Sequence, residues 1–188
     1  MVIILCGPDG VGKSTQIRHL KSFFSHNKDI LFHELHYTAD IAKDMEVDQA
    51  KSTSIVYYTG MFCLLNEMIN QGFSVVCDRA HIGEAVYAQK YRGYSGDYVF
   101  DLENSFPSVT NNPDVYLIVF VAEPIDLAFR EDGNSLGKEV EDKIEEVSRF
   151  KEAFIKSNFQ KKKLIDITGK DEYDVWSEVI KFIDGDRR

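Results

Sequence analysis

Apolar residues fall into two kinds of stretch along the chain: short β-branched runs, and longer segments in which they recur every three or four positions. The short runs are Val2–Cys6, the region around Ile30–Leu35, Phe73–Cys77, Val115–Val121 and Leu164–Ile167. Continuous apolar runs of this length, bounded by turn residues, read as strands buried on both faces, and their alternation with helical patterns predicts an α/β fold with a five-stranded parallel sheet. Ile17, Leu20 and Phe24 follow the first strand at helical spacing. Thr53–Asn70 is apolar nearly all round and stops before Gly72, which predicts a largely buried helix. Val140, Ile144, Val147 and Phe154 predict the inward stripe of a long amphipathic helix, and Trp176, Val179, Ile180 and Ile183 a last one closed by Gly185. No repeat, low-complexity tract or linker divides the chain, so one domain over residues 1–188 is expected. Two polar breaks interrupt the alternation. Tyr91–Asp97 is a Gly/Tyr/Arg loop, and Arg130–Lys138 has the composition of a short mobile lid.

Composition narrows the function classes. The 188 residues are 44% apolar, enough for a real core. A net charge of −9 argues against a constitutive nucleic-acid binder and against a membrane-surface protein, because both need a basic footprint. No apolar run approaches the ~20 residues of a membrane span, and no export signal is visible, so a cytoplasmic protein is expected. Cys6 and Cys77 lie in strand-like runs and Cys63 in the apolar helix, which predicts three buried, reduced thiols without a zinc or redox role.

The residues that carry chemistry begin at the end of the first run. Gly7-Pro8-Asp9-Gly10-Val11-Gly12-Lys13-Ser14 fits the phosphate-binding pattern G-x-x-x-x-G-K-[ST], and it lies between a strand and an amphipathic helix, as that pattern requires. The glycines let successive backbone N–H groups converge on phosphate oxygens at a helix N-terminus, with Thr15 following in the first turn. Lys13 can reach the β- and γ-phosphates, and the Ser14 hydroxyl can ligate Mg²⁺. The ligand expected is ATP with Mg²⁺. Phe73–Cys77 ends in Asp78-Arg79, at the edge of a parallel sheet where ligands bind. Asp78 can serve the magnesium shell and Arg79 can grip a phosphate with its planar fork of donors; a structural ion pair at a strand end is the alternative.

The loop GPDGVGKST followed by VVCDRAHIGEAVY resembles the thymidylate kinases and related deoxynucleoside monophosphate kinases. The resemblance extends through NPDVYLIVFVAEPIDLAFR to KLIDITGKDEYDVWSEVIKFI, and H-x-G-E-x-V-Y with Y-R-G resembles a phage-type branch. It implies a three-layer P-loop kinase fold with a short lid near 130–138, and ATP-dependent phosphorylation of a deoxynucleoside monophosphate, dTMP or a related pyrimidine. It also implies a homodimer and small nucleotide partners. Residue by residue, Asp9 would face the acceptor sugar, Arg79 would hold the acceptor phosphate, and Tyr87 would pack by C2′ and disfavour ribose. Arg130 would cover the donor phosphates, and Thr168-Gly169-Lys170 would border the adenine. A turn aspartate, a core tyrosine and a solvated arginine are the plain alternatives for Asp9, Tyr87 and Arg130.

The departures from the family matter as much. The helix before the Asp-Arg strand often carries an arginine there, whereas Thr53–Asn70 has none and shows Tyr57, Tyr58 and Gly60 instead. Glu84, Tyr91, Arg92 and Tyr94 stand close after the Asp-Arg pair and are candidates to compensate. His36-Tyr37-Thr38-Ala39-Asp40 replaces the family's usual polar turn, as a pocket wall or as surface. His81 reads as a satisfied histidine at a helix start rather than a pocket group. Two other readings remain: a deoxynucleoside kinase using Glu34 as base, and a non-catalytic nucleotide-binding switch protein.

Overall fold

A computed structural model describes residues 1–25, 32–38, 44–130 and 135–185 of the chain. Val2–Cys6 forms β1, Phe32–His36 β2, Ser74–Asp78 β3, Val115–Val121 β4 and Lys162–Asp166 β5, all parallel, in the spatial order β2-β3-β1-β4-β5. The sequence-expected alternation is therefore present, with the last strand beginning at Lys162. The part of the second run at Ile30 and Leu31 lies outside the described residues. Every residue of β1 and β4 is buried, as strands covered on both faces must be.

The helices are α1 (Lys13–Ser25), α2 (Val47–Asn70), α3 (His81–Tyr91), α4 (Tyr98–Ser105), α5 (Pro107–Thr110), α6 (Pro124–Phe129), α7 (Val140–Lys156) and α8 (Glu172–Asp184). None of them is long and apolar enough to cross a membrane. The strand order reverses beside β1: the chain passes from β1 to β2 on the β3 side, whereas from β3 it crosses to β4 on the other side of β1, so the connections after β1 and β3 leave in opposite directions. That is the crevice in which open α/β sheets bind ligands, and the phosphate loop opens into it.

Two helices differ from their sequence reading. The helix α2 begins at Val47 and buries one face, Ala50, Ser54, Tyr58, Met61, Phe62 and Leu65, while Val56 is 72% exposed and Cys63 and Leu64 also face outward. Cys63 is thus an exposed thiol, whereas Cys6 and Cys77 are buried as expected, with burial pushing the Cys6 thiol up to about 12. In α7 the buried stripe is Lys143, Glu146, Val147, Phe150 and Ala153, so Val140 and Ile144, expected inward, are exposed. Hydrophobicity alone points to the wrong stripe because two charged residues occupy the inward one. The helix entry is fixed by a reciprocal cap, in which Asp142 accepts from the Glu139 amide.

The rotated stripe is directly testable. Phe150→Ala should cost about 3–5 kcal/mol in urea unfolding, as expected for an aromatic that is 1% exposed, and Ile144→Ser should stay within about 0.5 kcal/mol of the parent. Equal losses would restore Ile144 to the core.

Candidate active site

The loop Gly7–Gly12 is drawn tightly onto β4. Gly7 has φ 144°, and a Cβ there would lie 2.4 Å from the Phe120 carbonyl oxygen, so only glycine lets the chain leave β1 at this angle. Gly10 and Gly12 also have positive φ, and Val11 is buried beneath them. Lys13 opens α1, and its buried ammonium donates to the Gly7 and Pro8 carbonyls at 2.9 and 2.7 Å. Burial, reinforced by the charge of Arg79, lowers its pKa to about 8; Asp9, at 3.9 Å, opposes that shift.

Asp9 also accepts from Arg79 at 2.5 Å, which ties the phosphate loop to the end of β3. Arg79 is the one non-glycine residue with positive φ among those described, at 68°. Such a conformation costs of order 1–2 kcal/mol and concentrates at functional sites. The backbone is held there by the Arg79 amide bonding to the Leu5 carbonyl at 2.9 Å. Beside it, Asp78 Oδ2 lies 3.5 Å from His36 Nδ1 at the end of β2, and Asp78 Oδ1 is buried without a hydrogen-bond partner among the described residues.

Two cavities meet at Arg79. The first, about 520 Å³, is lined by Asp9, Gly10, Gly12, Lys13, Ser14 and Thr15, together with His36, Asp78, Arg79, Arg130 and Ser135. Arg130 lies over the loop, with Nη1 3.5 Å from the Gly10 carbonyl. Residues 131–134, most of the expected lid, lie outside the described residues, as do Ala39 and Asp40. The hard oxygen donors in this cavity, the Ser14 hydroxyl and the Asp78 carboxylate, suit a magnesium ion that keeps most of its waters and is shared with phosphates. No cluster of three His, Cys, Asp or Glu able to hold a metal by itself exists among the described residues.

The second cavity is a narrow aromatic pocket of about 30 Å³. Tyr37, Tyr58, Tyr87 and Phe150 line it together with Arg79, Glu84 and Arg92. Glu84 is buried and fully engaged: it pairs with Arg92 through one oxygen, and the other accepts from Tyr94 Oη at 2.7 Å and Tyr98 Oη at 3.1 Å. Tyr94 Oη in turn accepts from the Ser54 hydroxyl at 2.8 Å, which joins the network to α2. The pocket thus offers a ligand the donors of Arg92 and little of the carboxylate. A separate groove of about 550 Å³ between α3, α4 and α7 is lined by none of the phosphate-loop residues and by none of the candidate site residues; Ile144, expected inward, lies on its wall.

The structure therefore brings together Gly7, Asp9, Gly10, Gly12, Lys13, Ser14, Thr15, Asp78, Arg79, Glu84, Tyr87, Arg92 and Arg130 around two adjoining cavities. It does not bring Thr168, Gly169 and Lys170 into either. Thr168 Oγ1 bonds Asp166 at 2.7 Å and the Glu123 amide at 2.9 Å, while Lys170 pairs with Glu178. Glu34 faces α1, where it pairs with Lys21, and lines neither cavity. His81, at the start of α3, is buried with Nε2 2.7 Å from Glu103, but its Nδ1 is buried without a hydrogen-bond partner among the described residues, so the histidine expected to be satisfied is satisfied on one side only. Phe150 was not singled out from the sequence, since its signal is an aromatic on a helix whose inward face is disguised by Lys143 and Glu146.

The profile of the family described as thymidylate kinase matches residues 5–180 of the chain. No curated protein matches the sequence significantly. Among solved structures, the chain resembles the YorR protein of Bacillus subtilis, crystallised with phosphorylated GDP, at 18% identity and a TM-score of 0.68, covering 100% of this chain and 98% of that one. It also resembles thymidylate kinase from Candida albicans at 14% identity and a TM-score of 0.66, covering 99% and 92%. At these identities the structural likeness establishes the fold.

The state of Lys13 can be read without any ligand. Its pKa is lowered from 10.5 to about 8 on folding, so the charge penalty is full below pH 8 and is relieved as the pH rises towards 10.5. Relative to Lys13→Met, the parent should therefore gain stability between pH 8 and pH 10.5, by about 3 kcal/mol at most. A constant difference across that range in urea titrations would place the ammonium in water.

Proposed function

We propose, from the premise that this chain belongs to the thymidylate kinase family and is a nucleoside monophosphate kinase, that it transfers the γ-phosphoryl group of ATP to a pyrimidine deoxynucleoside monophosphate, dTMP or a close relative. The observation that carries this reading is an aromatic pocket lined by two guanidinium groups: Arg79, shared with the phosphate-loop cavity, and Arg92, held by Glu84. A nucleoside monophosphate is anionic at one end, and a keto base presents acceptors at the other. The aromatic walls suit a flat ring, and at about 30 Å³ they stand closed, so Tyr37, Tyr58 and Tyr87 part to admit one.

In this reading ATP with Mg²⁺ supplies the transferable phosphoryl group and a Lewis acid that spreads its charge. The chain's own residues do the rest. Loop N–H groups and Lys13 hold the donor phosphates, Ser14 and Asp78 supply oxygens to the cation, and Arg130 covers the site from above. Arg79, anchored by Asp9, aims the acceptor phosphate at the donor along the line between the two cavities. The acceptor phosphate is already an anionic nucleophile, so no side chain needs to remove a proton. Tyr87 stands at the pocket wall where a ribose 2′-hydroxyl would crowd it, and Arg92 favours a carbonyl over an amino group at the base edge.

A deoxynucleoside kinase would need a carboxylate base at the acceptor hydroxyl. Glu34 lies outside the pocket and Glu84 is taken up by Arg92, Tyr94 and Tyr98. A non-catalytic switch protein would have no use for an arginine strained between two cavities. One domain acting in the cytoplasm, and a homodimer formed through the exposed Val56 and Leu64 face of α2, complete the proposal.

An ADP-release assay over the common nucleoside monophosphates and nucleosides tests it. Turnover is expected with dTMP and dUMP, and little with thymidine, dCMP or dAMP; faster turnover of thymidine than of dTMP would overturn the monophosphate assignment. Arg79→Ala should lower kcat/KM for the acceptor by about 10²–10³ while the KM for ATP changes little, since a charge-assisted bidentate contact is lost on the acceptor alone. Tyr87→Ala should narrow the deoxyribose preference by about tenfold or more, and an unchanged ratio would return Tyr87 to a purely structural role.

A further inference from the structure

The inward stripe of α7 carries two charged residues that the phosphoryl-transfer reading leaves unused. Phe150 on that stripe walls the aromatic pocket, and one turn towards the N-terminus stands Glu146, followed by the fully buried Lys143 at 3.7 Å from its carboxylate. Charges on the inner face of a helix are costly unless geometry demands them. Glu146 accepts from Tyr91 Oη at 3.0 Å, and Tyr91 packs on Tyr87 with ring centroids 6.0 Å apart. Tyr87 is the pocket residue at the sugar position of the proposed acceptor.

On its other side the same pair meets the segment that leads to α7. Gly137 sits so close that a Cβ would lie 2.6 Å from Tyr91 Oη, 2.8 Å from Glu146 Oε1 and 2.6 Å from Asp142 Cβ. The next two amides, Lys138 and Glu139, donate to Asp142 Oδ2 at 3.2 and 3.4 Å, and Asp142 is in turn held by Lys90 of α3 at 2.7 Å. Two residues before Gly137, the buried Ser135 lines the phosphate-loop cavity. An unbroken line of contacts runs from Tyr87 in one cavity, through Tyr91 and Glu146, to Gly137 and Ser135 in the other. Interiors packed this closely transmit displacement rather than absorb it.

We propose that Tyr91 and Glu146 are positioning residues that make the two nucleotide cavities cooperate: an acceptor held against Tyr87 fixes Tyr91, the Tyr91–Glu146 pair seats Gly137, and the seated segment sets the Ser135 wall of the donor cavity. This rests on the acceptor and donor assignments above. By linkage the effect is reciprocal, so the donor also tightens the acceptor.

The experiment is calorimetric titration of the full chain with dTMP, alone and in the presence of Mg²⁺ and a non-hydrolysable ATP analogue. In the parent the analogue should tighten dTMP binding by about fivefold or more. Tyr91→Phe removes only the hydroxyl, and Gly137→Ala wedges the seat open; each should bind either nucleotide alone within about twofold of the parent, yet lose most of the mutual tightening. A merely structural role would lower the melting temperature and leave the tightening intact, which overturns the proposal, as does a parent that binds both nucleotides independently. Failure of the parent to bind either nucleotide would instead sink the functional reading, and this inference with it.

Discussion

The contact on which the site depends is the one between Asp9 and Arg79. It joins the loop after β1 to the residue after β3, two neighbouring strands whose register is fixed by the buried ladder from Val2↔Val75 to Leu5↔Asp78. Because β3 ends there, Arg79 can reach Asp9 only by taking a left-handed backbone conformation, and the sheet holds it through the Arg79 amide and the Leu5 carbonyl. The strain of roughly 1–2 kcal/mol is offset by a charged hydrogen bond in a half-buried setting, and it places one guanidinium on the boundary of two cavities. Lys13 is set by the same arrangement. Its ammonium sits beneath the loop with Arg79 nearby as a like charge and Asp9 as the opposing one, so the three groups balance one another. Alter the Asp9–Arg79 contact and both the loop and the pocket lose their common edge.

Around this edge the protein places its polar groups where an apolar core would ordinarily lie. Glu84 is buried at the first turn of α3, where Arg92, Tyr94 and Tyr98 satisfy its oxygens. The loop Tyr91–Asp97 is thus a structural part of the pocket: its Arg92 lines the cavity, and its Tyr94, with Tyr98 of α4, holds the carboxylate that pairs with this arginine. The family's usual arginine on the preceding helix is missing from α2, where Tyr58 fills the corresponding face.

Length, strand alternation and the phosphate loop made the architecture legible from the sequence, because each rests on local rules. A β-branched run between turn residues is a buried strand whatever surrounds it, and the glycines of Gly7–Gly12 announce a backbone that must approach something closely. The Asp78-Arg79 pair was legible for the same reason: it stands at the end of such a run, at the edge where parallel sheets bind ligands. The faces of the long helices were not legible. In α7 the apolar residues Val140 and Ile144 mark one side, yet the core takes Lys143, Glu146 and Phe150, since the two charges face each other and Glu146 also accepts from Tyr91 of α3. In α2 the apolar character is spread around the helix, and only packing against β3, α4 and α5 decides that Cys63 and Val56 remain outside.

By itself, then, the sequence determined the α/β class, the alternation of strands and helices, the phosphate-loop motif and the Asp78-Arg79 pair at a strand end. Tertiary structure decided which distant residues share a cavity: that Arg79 stands between two, that Phe150 walls one, that Glu34 and Thr168–Lys170 line neither, and that Glu84 is spent on Arg92. The division has a single physical reason. Periodicity, turn chemistry and loop motifs are short-range and survive in one dimension, whereas burial of charge depends on partners brought from other elements, and those partners are chosen only when the sheet has closed its register and the helices have settled on its two faces.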